Sequence, residues 1–173
     1  MTGTKRVVFE GRVVRLALET VTLPNGEVAE LEIIHHPGGA AVVALDAERR
    51  VCLLRQFRHA AGGWLWELPA GKLDGGEAPL ACAQRELQEE AGCQARDWRS
   101  LGRIVSSPGV FTEVIHLFLA RGLAAVPAAA GAHEVFEVHW IDWREARRMA
   151  QDGEIEDAKT LAGLLRAQPV VAG

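Results

Sequence analysis

The chain has 173 residues, 49% of them hydrophobic and 24% charged, with a formal net charge of −4. That length and balance are enough for one domain with a real core and exclude disordered and fibrous classes. The mild acidity leaves no footprint for nucleic acid and no basic face for a membrane, so the expected partner is a small molecule.

The start, MTGTKRVVFEGRVVRLALE, is interrupted by Lys5, Arg6, Glu10, Arg12 and Arg15. It lacks the apolar centre of a signal peptide, no later run reaches membrane-spanning length, and a cytoplasmic protein is expected. From Val7 to His36 the residues are β-like, rich in Val, Leu, Ile and Thr, and broken by a turn signal at Pro24, Asn25 and Gly26. This reads as a meander or hairpin closed by HPGG at His36 to Gly39. AAVVALD and VCLLRQF follow as two buried strands separated by a polar turn at Asp46 to Arg50.

A helix is predicted from about Pro79, which suits a first turn, to Ala91, with Gly92 just past its end. Strands are then expected near Trp98 to Val105, Val114 to Ala120 and Val135 to Ile141, and helical periodicity from Trp143 onward. LAAVPAAAGA, from Leu123 to Ala132, reads as a loop, and DGEIED, from Asp152 to Asp157, as a helix-joining turn without the ligand spacing of a calcium loop. Cys52, Cys82 and Cys93 show no CxxC spacing and sit among apolar neighbours, as small core residues do.

The chemistry concentrates in GKLDGGEAPLACAQRELQEEAGC, Gly71 to Cys93. At 100° per residue Leu80, Ala83, Leu87 and Ala91 form one stripe and Glu86, Glu89 and Glu90 another, so one face is expected to pack and the other to be acidic. Like charges three and four residues apart repel by about 0.2–0.5 kcal/mol per pair on an exposed helix. Arg85 can pair with Glu89, but one guanidinium cannot neutralise three carboxylates. Hard divalent cations that take oxygen ligands are the natural complement, magnesium or manganese above all. Without further context such a Glu-rich helix is a solvated face.

Spacing supplies the context. Gly71, then Glu77, then Arg85-Glu86-Leu87, then Glu89-Glu90, Gly92 and an apolar Cys93 resemble the Nudix box at every defined position. VCLLRQFRHA, WLWELPAGKLDGGE, SSPGVFTEVIHLFLA and GEIEDAKTLAGLL look like segments of the family's ADP-ribose pyrophosphatase subgroup, as does Pro108, fifteen residues beyond Cys93. The departures are VFTE at Val110 to Glu113, where the subgroup often has an acidic pair, and an alanine-rich loop where it is often acidic.

The resemblance implies an α/β fold, a Nudix-type α/β/α sandwich around a mixed sheet spanning residues 39–173. It also implies an N-terminal β appendage, residues 1–38, that crosses to a second subunit in a homodimer. It makes Glu86 and Glu90 metal ligands, with Glu89 near them and the backbone carbonyl of Ala70 completing the site. Gly71, Glu77, Arg85 and Gly92 become structural positions of the box, Arg85 orienting the glutamates and Glu77 tying the loop to the helix. Glu134, on the loop before VFEVHWI, is the expected base that activates water, with Glu89 and Glu113 as rivals. Arg58 matches a position that reaches the phosphates, and Glu113 is a second substrate-site candidate. Trp64 and Trp66 alternate within a short strand, which favours core packing over stacking on a base. The implied activity is magnesium-dependent hydrolysis of the nucleoside diphosphate ADP-ribose to AMP and ribose 5-phosphate. The alternatives are another derivative, such as GDP-mannose or NADH, and a catalytically silent nucleotide-binding regulator.

Overall fold

A computed structural model describes residues 3–128 and 135–171. The chain divides into two compact units, residues 1–38 with 105–114, and residues 39–104 with 115–173.

In the first unit β1 (Lys5–Glu10), β2 (Arg15–Thr22) and β3 (Val28–His35) form an antiparallel sheet in chain order. The turn before β3 is built as its residues demand. Asn25 Oδ1 accepts the Glu27 amide at 3.1 Å, and Gly26 takes φ +89°, a conformation open to glycine without cost. Residues 105–114 join this unit through Ile34 N–H to Val110 O at 2.7 Å and Thr112 N–H to Ile34 O at 2.9 Å. Every residue of β1 is exposed, including Val7, Val8 and Phe9.

The second unit is a sandwich. One sheet has the order β7-β4-β9-β8, from β4 (Gly39–Ala44), β7 (Ala70–Lys72), β8 (Cys93–Val105) and β9 (Val114–Ala125). Here β4 runs parallel to β9 and antiparallel to β7, so the sheet is mixed. A second sheet, β10-β5-β6, comprises β5 (Arg50–Arg58), β6 (Gly63–Glu67) and β10 (Phe136–Asp142), all antiparallel. The period-two alternation of β4 distributes its side chains between two cores. Ala40, Val42 and Ala44 pack with Cys82, Ala83 and Leu87 of α1 (Pro79–Ala91). Ala41 and Val43 pack with residues of α2 (Trp143–Gln151) and α3 (Ala158–Val171), including Trp143, Met149 and Leu164. A strand buried on both faces must read as an unbroken apolar run, which AAVVA is.

Asp142 caps α2, its carboxylate accepting the amides of Arg144 and Glu145, an interaction worth about 1 kcal/mol. The turn between α2 and α3 falls within Asp152 to Asp157, as expected. Two boundaries differ from expectation. β8 begins at Cys93, and β9 continues to Ala125, so Leu123 to Ala125 are strand and not loop. Pairing with a neighbouring long strand overrides the weak local preference of an alanine-rich segment. Among the described residues no helix is long and apolar enough to cross a membrane.

Candidate active site

Pro79 opens α1 with no side-chain cap, and Gly92 closes it at φ +60°, its amide reaching back to the Gln88 and Leu87 carbonyls. The expected apolar stripe is buried at Ala83 and Leu87, with Ala91 against the same core, but burial does not stop there. Glu86 and Glu90 are buried, at 6% and 3% exposure, whereas Leu80 is 38% exposed. The acidic stripe therefore turns inward beside Ala83 and Leu87.

What makes room is the strand opposite. A Cβ on Gly71 would stand 1.8 Å from Glu86 Oε1 and 2.2 Å from its Cδ, so Glu86 occupies the space of the missing side chain. Glu90 Oε2 accepts the Ala70 amide at 2.8 Å. Val42 N–H bonds Pro69 O, and Ala70 stands opposite Ala41. Ala70 is thus in the non-hydrogen-bonded position of the ladder, where N–H and C=O both point away from β4. Because β7 is an edge strand, the Ala70 carbonyl lies on the side that holds the Glu90 carboxylate.

Arg85 gathers the rest. Its Nε and Nη2 meet the two oxygens of Glu77 at 3.1 and 3.0 Å, and its Nη1 reaches Glu86 Oε1 at 2.6 Å and Glu89 Oε2 at 3.1 Å. Nη2 also donates to the Lys72 carbonyl at 3.2 Å. The bonds from Arg85 hold the Glu77 carboxyl below its ordinary value, since they outweigh the small cost of burial. The Cys82 thiol donates to the Lys72 and Gly71 carbonyls at 3.3 and 3.6 Å, and burial with the nearby Glu86 charge pushes its pKa up to about 12. That thiol is a packed donor and no nucleophile.

Two buried carboxylates one helical turn apart, a third beside them and an adjoining backbone carbonyl form an all-oxygen donor set, which fits a hard divalent cation and not a soft one. The cradle at Gly71 fits too, because a side chain there would displace Glu86. Among the described residues no three His, Cys, Asp or Glu side chains are already gathered as a ligand shell.

Arg58, at the end of β5, is held side-on by Glu67, Nε to Oε1 and Nη2 to Oε2, both at 2.8 Å. Its protonated form is favoured first by those bonds and further by the charges of Glu90 and Asp157, against the cost of burial. Glu113 belongs to the first unit, where its carboxylate stands 3.3 Å from His36 Nδ1. Glu134 lies outside the described residues. Trp66 packs against the core, with Arg55 over its ring at 5.2 Å and His139 edge-on at 5.0 Å, while Trp64 is 42% exposed and meets Phe57. Core packing thus holds for Trp66 and not for Trp64. Cys52, Cys82 and Cys93 are free and buried.

Sequence reasoning missed Glu67, Lys159, Asp157 and Thr160, which form one linked cluster. Two signals were there to be read. Glu67 is a lone charge in WLWELP, and Asp157 with Thr160 has the spacing of a helix N-cap.

The Nudix domain family model matches residues 35–164, and the chain belongs to the Nudix hydrolase family. The family works with divalent metal ions on nucleotide derivatives. The "Methanol dehydrogenase activator" of Bacillus methanolicus is 40% identical over 158 residues, 89% of this chain and 84% of that protein. The "ADP-ribose pyrophosphatase" of Bacillus subtilis (strain 168) is 37% identical over 161 residues, 92% of this chain and 87% of that protein. Among solved structures, one described as an ADP compounds hydrolase superposes with a TM-score of 0.82 at 19% identity, covering all of this chain and 96% of that one, a likeness of fold.

Proposed function

We propose that the protein hydrolyses the diphosphate of ADP-ribose to AMP and ribose 5-phosphate, with magnesium as its working cation and manganese able to replace it. The observation that carries the reading is the burial of Glu86 and Glu90 against Ala70 and Gly71, with Arg85 tying Glu77, Glu86 and Glu89 together. The substrate is favoured by the 37% identity to a relative of that name.

When bound, the cations neutralise diphosphate oxygens and acidify a water. The chain's own residues do the rest. Glu86, Glu90 and the Ala70 carbonyl would hold the metals, with Glu89 as a nearby ligand or water-mediated partner. Arg85 orients the carboxylates from behind and Glu77 keeps the loop closed on the helix. Arg58 presents guanidinium donors to phosphate oxygens. Glu134 takes the proton of the attacking water, with Glu89 as the alternative base. Water adds its oxygen to one phosphorus, the bridging P–O bond breaks, and the protons released pass to solvent.

Comparing ADP-ribose, GDP-mannose, NADH and 8-oxo-dGTP at equal magnesium tests this. ADP-ribose should lead 8-oxo-dGTP by about a hundredfold or more in kcat/KM. A clear win for GDP-mannose would refute the substrate and keep the mechanism, and no turnover of any member would favour a nucleotide-binding regulator.

The same reading makes the protein a cytoplasmic homodimer. Val7, Val8 and Phe9 of β1 are 45%, 52% and 58% exposed, an apolar edge that a second copy would cover. Sedimentation velocity at micromolar concentration should give a dimer of the 18.7 kDa chain, and removal of residues 1–38 should abolish it. A dimer that survives the truncation would sink this assignment.

A further inference from the structure

Glu67 ends β6 at 2% exposure, and its two oxygens are shared between two cations. Arg58 takes both of them side-on at 2.8 Å, and Lys159 Nζ donates to Oε2 at 2.6 Å. Lys159 also donates to Asp157 Oδ1 at 3.0 Å, while Asp157 Oδ2 accepts the amide and hydroxyl of Thr160 at 2.9 and 2.6 Å. The Thr160 hydroxyl oxygen in turn accepts the Leu68 amide at 2.8 Å. A continuous polar chain therefore links the end of β5, the first turn of α3 and the residues leading to Ala70. α3 is seated tightly there, since a Cβ on Gly163 would stand 2.6 Å from Leu68 Cδ1.

Two cations and two carboxylates balance within the cluster, so none is a buried uncompensated charge. The exposures are unequal. The side chains of Glu67, Lys159 and Asp157 are 2%, 12% and 16% exposed, and that of Arg58 is 41%. The buried members are anchored and the guanidinium is the open end. Arg58 and Glu67 share a face because Glu67 stands opposite Leu54, two alternations along β5 from Arg58. Leu54 belongs to the core cluster that also holds Ala83 and Leu87 of α1. The bidentate contact uses the Nε and Nη2 edge of the fork and does not engage Nη1, on a side chain that is 41% exposed.

We infer that Glu67 is a positioning residue for diphosphate binding: anchored by Lys159, it fixes the Arg58 guanidinium so that the Nη1 edge is presented to the substrate's phosphate oxygens. The inference rests on the reading of Arg58 as a phosphate contact. A long side chain held in one rotamer before binding loses less freedom when the ligand arrives, so the effect belongs in affinity more than in the chemical step.

The test is a double-mutant cycle in the full-length enzyme, with magnesium and the substrate that the wild type hydrolyses best. Glu67→Gln and Arg58→Ala should each raise KM about tenfold with kcat within about twofold, and the double variant should match Arg58→Ala alone. Multiplied KM effects in the double variant would overturn the inference, because Glu67 would then act on binding independently of Arg58, and so would an unchanged KM in Glu67→Gln, because Glu67 would then act only on stability. An unchanged KM in Arg58→Ala would overturn the phosphate reading, and the inference with it. Thermal melting of each variant is recorded alongside. If Glu67→Gln does not fold, Glu67→Asp keeps the charge against Lys159 yet cannot span both guanidinium nitrogens, and it enters the same cycle under the same criteria.

Discussion

Replacing Glu90 with Gln should leave the protein folded and reduce turnover by about a thousandfold or more. Gln and Glu have similar helix propensities, and the amide oxygen of Gln can still accept the Ala70 amide that Glu90 Oε2 now accepts. What disappears is one negative charge from a buried pair at four-residue spacing, the feature that suits this site to a divalent cation. Apparent magnesium affinity should therefore fall together with kcat, while the melting curve of the metal-free protein should scarcely move. Near-normal turnover at ordinary magnesium concentrations would remove Glu90 from the metal site.

Gly71→Ala should act on the same site from the opposite wall. Gly71 does not have positive φ, so alanine meets no backbone strain there. Its methyl group would overlap the Glu86 carboxylate, the nearest oxygen being 1.8 Å from the new carbon. A carboxylate at the end of a flexible side chain yields more easily than the β4–β7 ladder, so Glu86 should rotate out and the fold should remain. We expect a loss of kcat of about a hundredfold or more with a melting temperature within a few degrees of wild type. If Gly71→Ala keeps wild-type kcat, the close approach of strand and carboxylate is not needed for activity. The two substitutions change opposite sides of one site, and agreement between them would tie activity to the geometry between α1 and β7.

The rest of the box follows the same logic of mutual restraint. Arg85 is bonded to three carboxylates and to the Lys72 carbonyl, so it ties the loop between β7 and α1 to the helix. The pairing expected from four-residue spacing, Arg85 with Glu89, is present at 3.1 Å. It is the longest of the shortest contacts that Arg85 makes to the three glutamates, because Glu77 and Glu86 also compete for the guanidinium. Removing Arg85 would leave like charges facing one another in a partly buried setting, where water screens them poorly.

The sequence by itself determined the family, the helix of the box and the identity of its carboxylates. These rest on local constraints: proline at the first helical position, glycine in the left-handed conformation just beyond the last, and charges at fixed intervals along one helix. It also determined the two-sided burial of β4, since only a strand covered on both faces reads as AAVVA. Tertiary structure alone decided that Glu86 and Glu90 are inside together with Ala83 and Leu87 of the apolar stripe. A helical projection gives angles between side chains and not the shape of the opposing surface, and here that surface is a strand with a missing Cβ at Gly71 and an Ala70 amide that donates to Glu90. That is why Glu86 and Glu90 are buried while Leu80 is not. The cluster of Arg58, Glu67, Asp157, Lys159 and Thr160 was equally out of reach, because the bonds that join its two halves, Lys159 to Glu67 and Leu68 to Thr160, each span 92 positions. Their charges could be read from the chain, but their pairing is set by where α3 lands on the strands, a matter of long-range packing that no local pattern encodes.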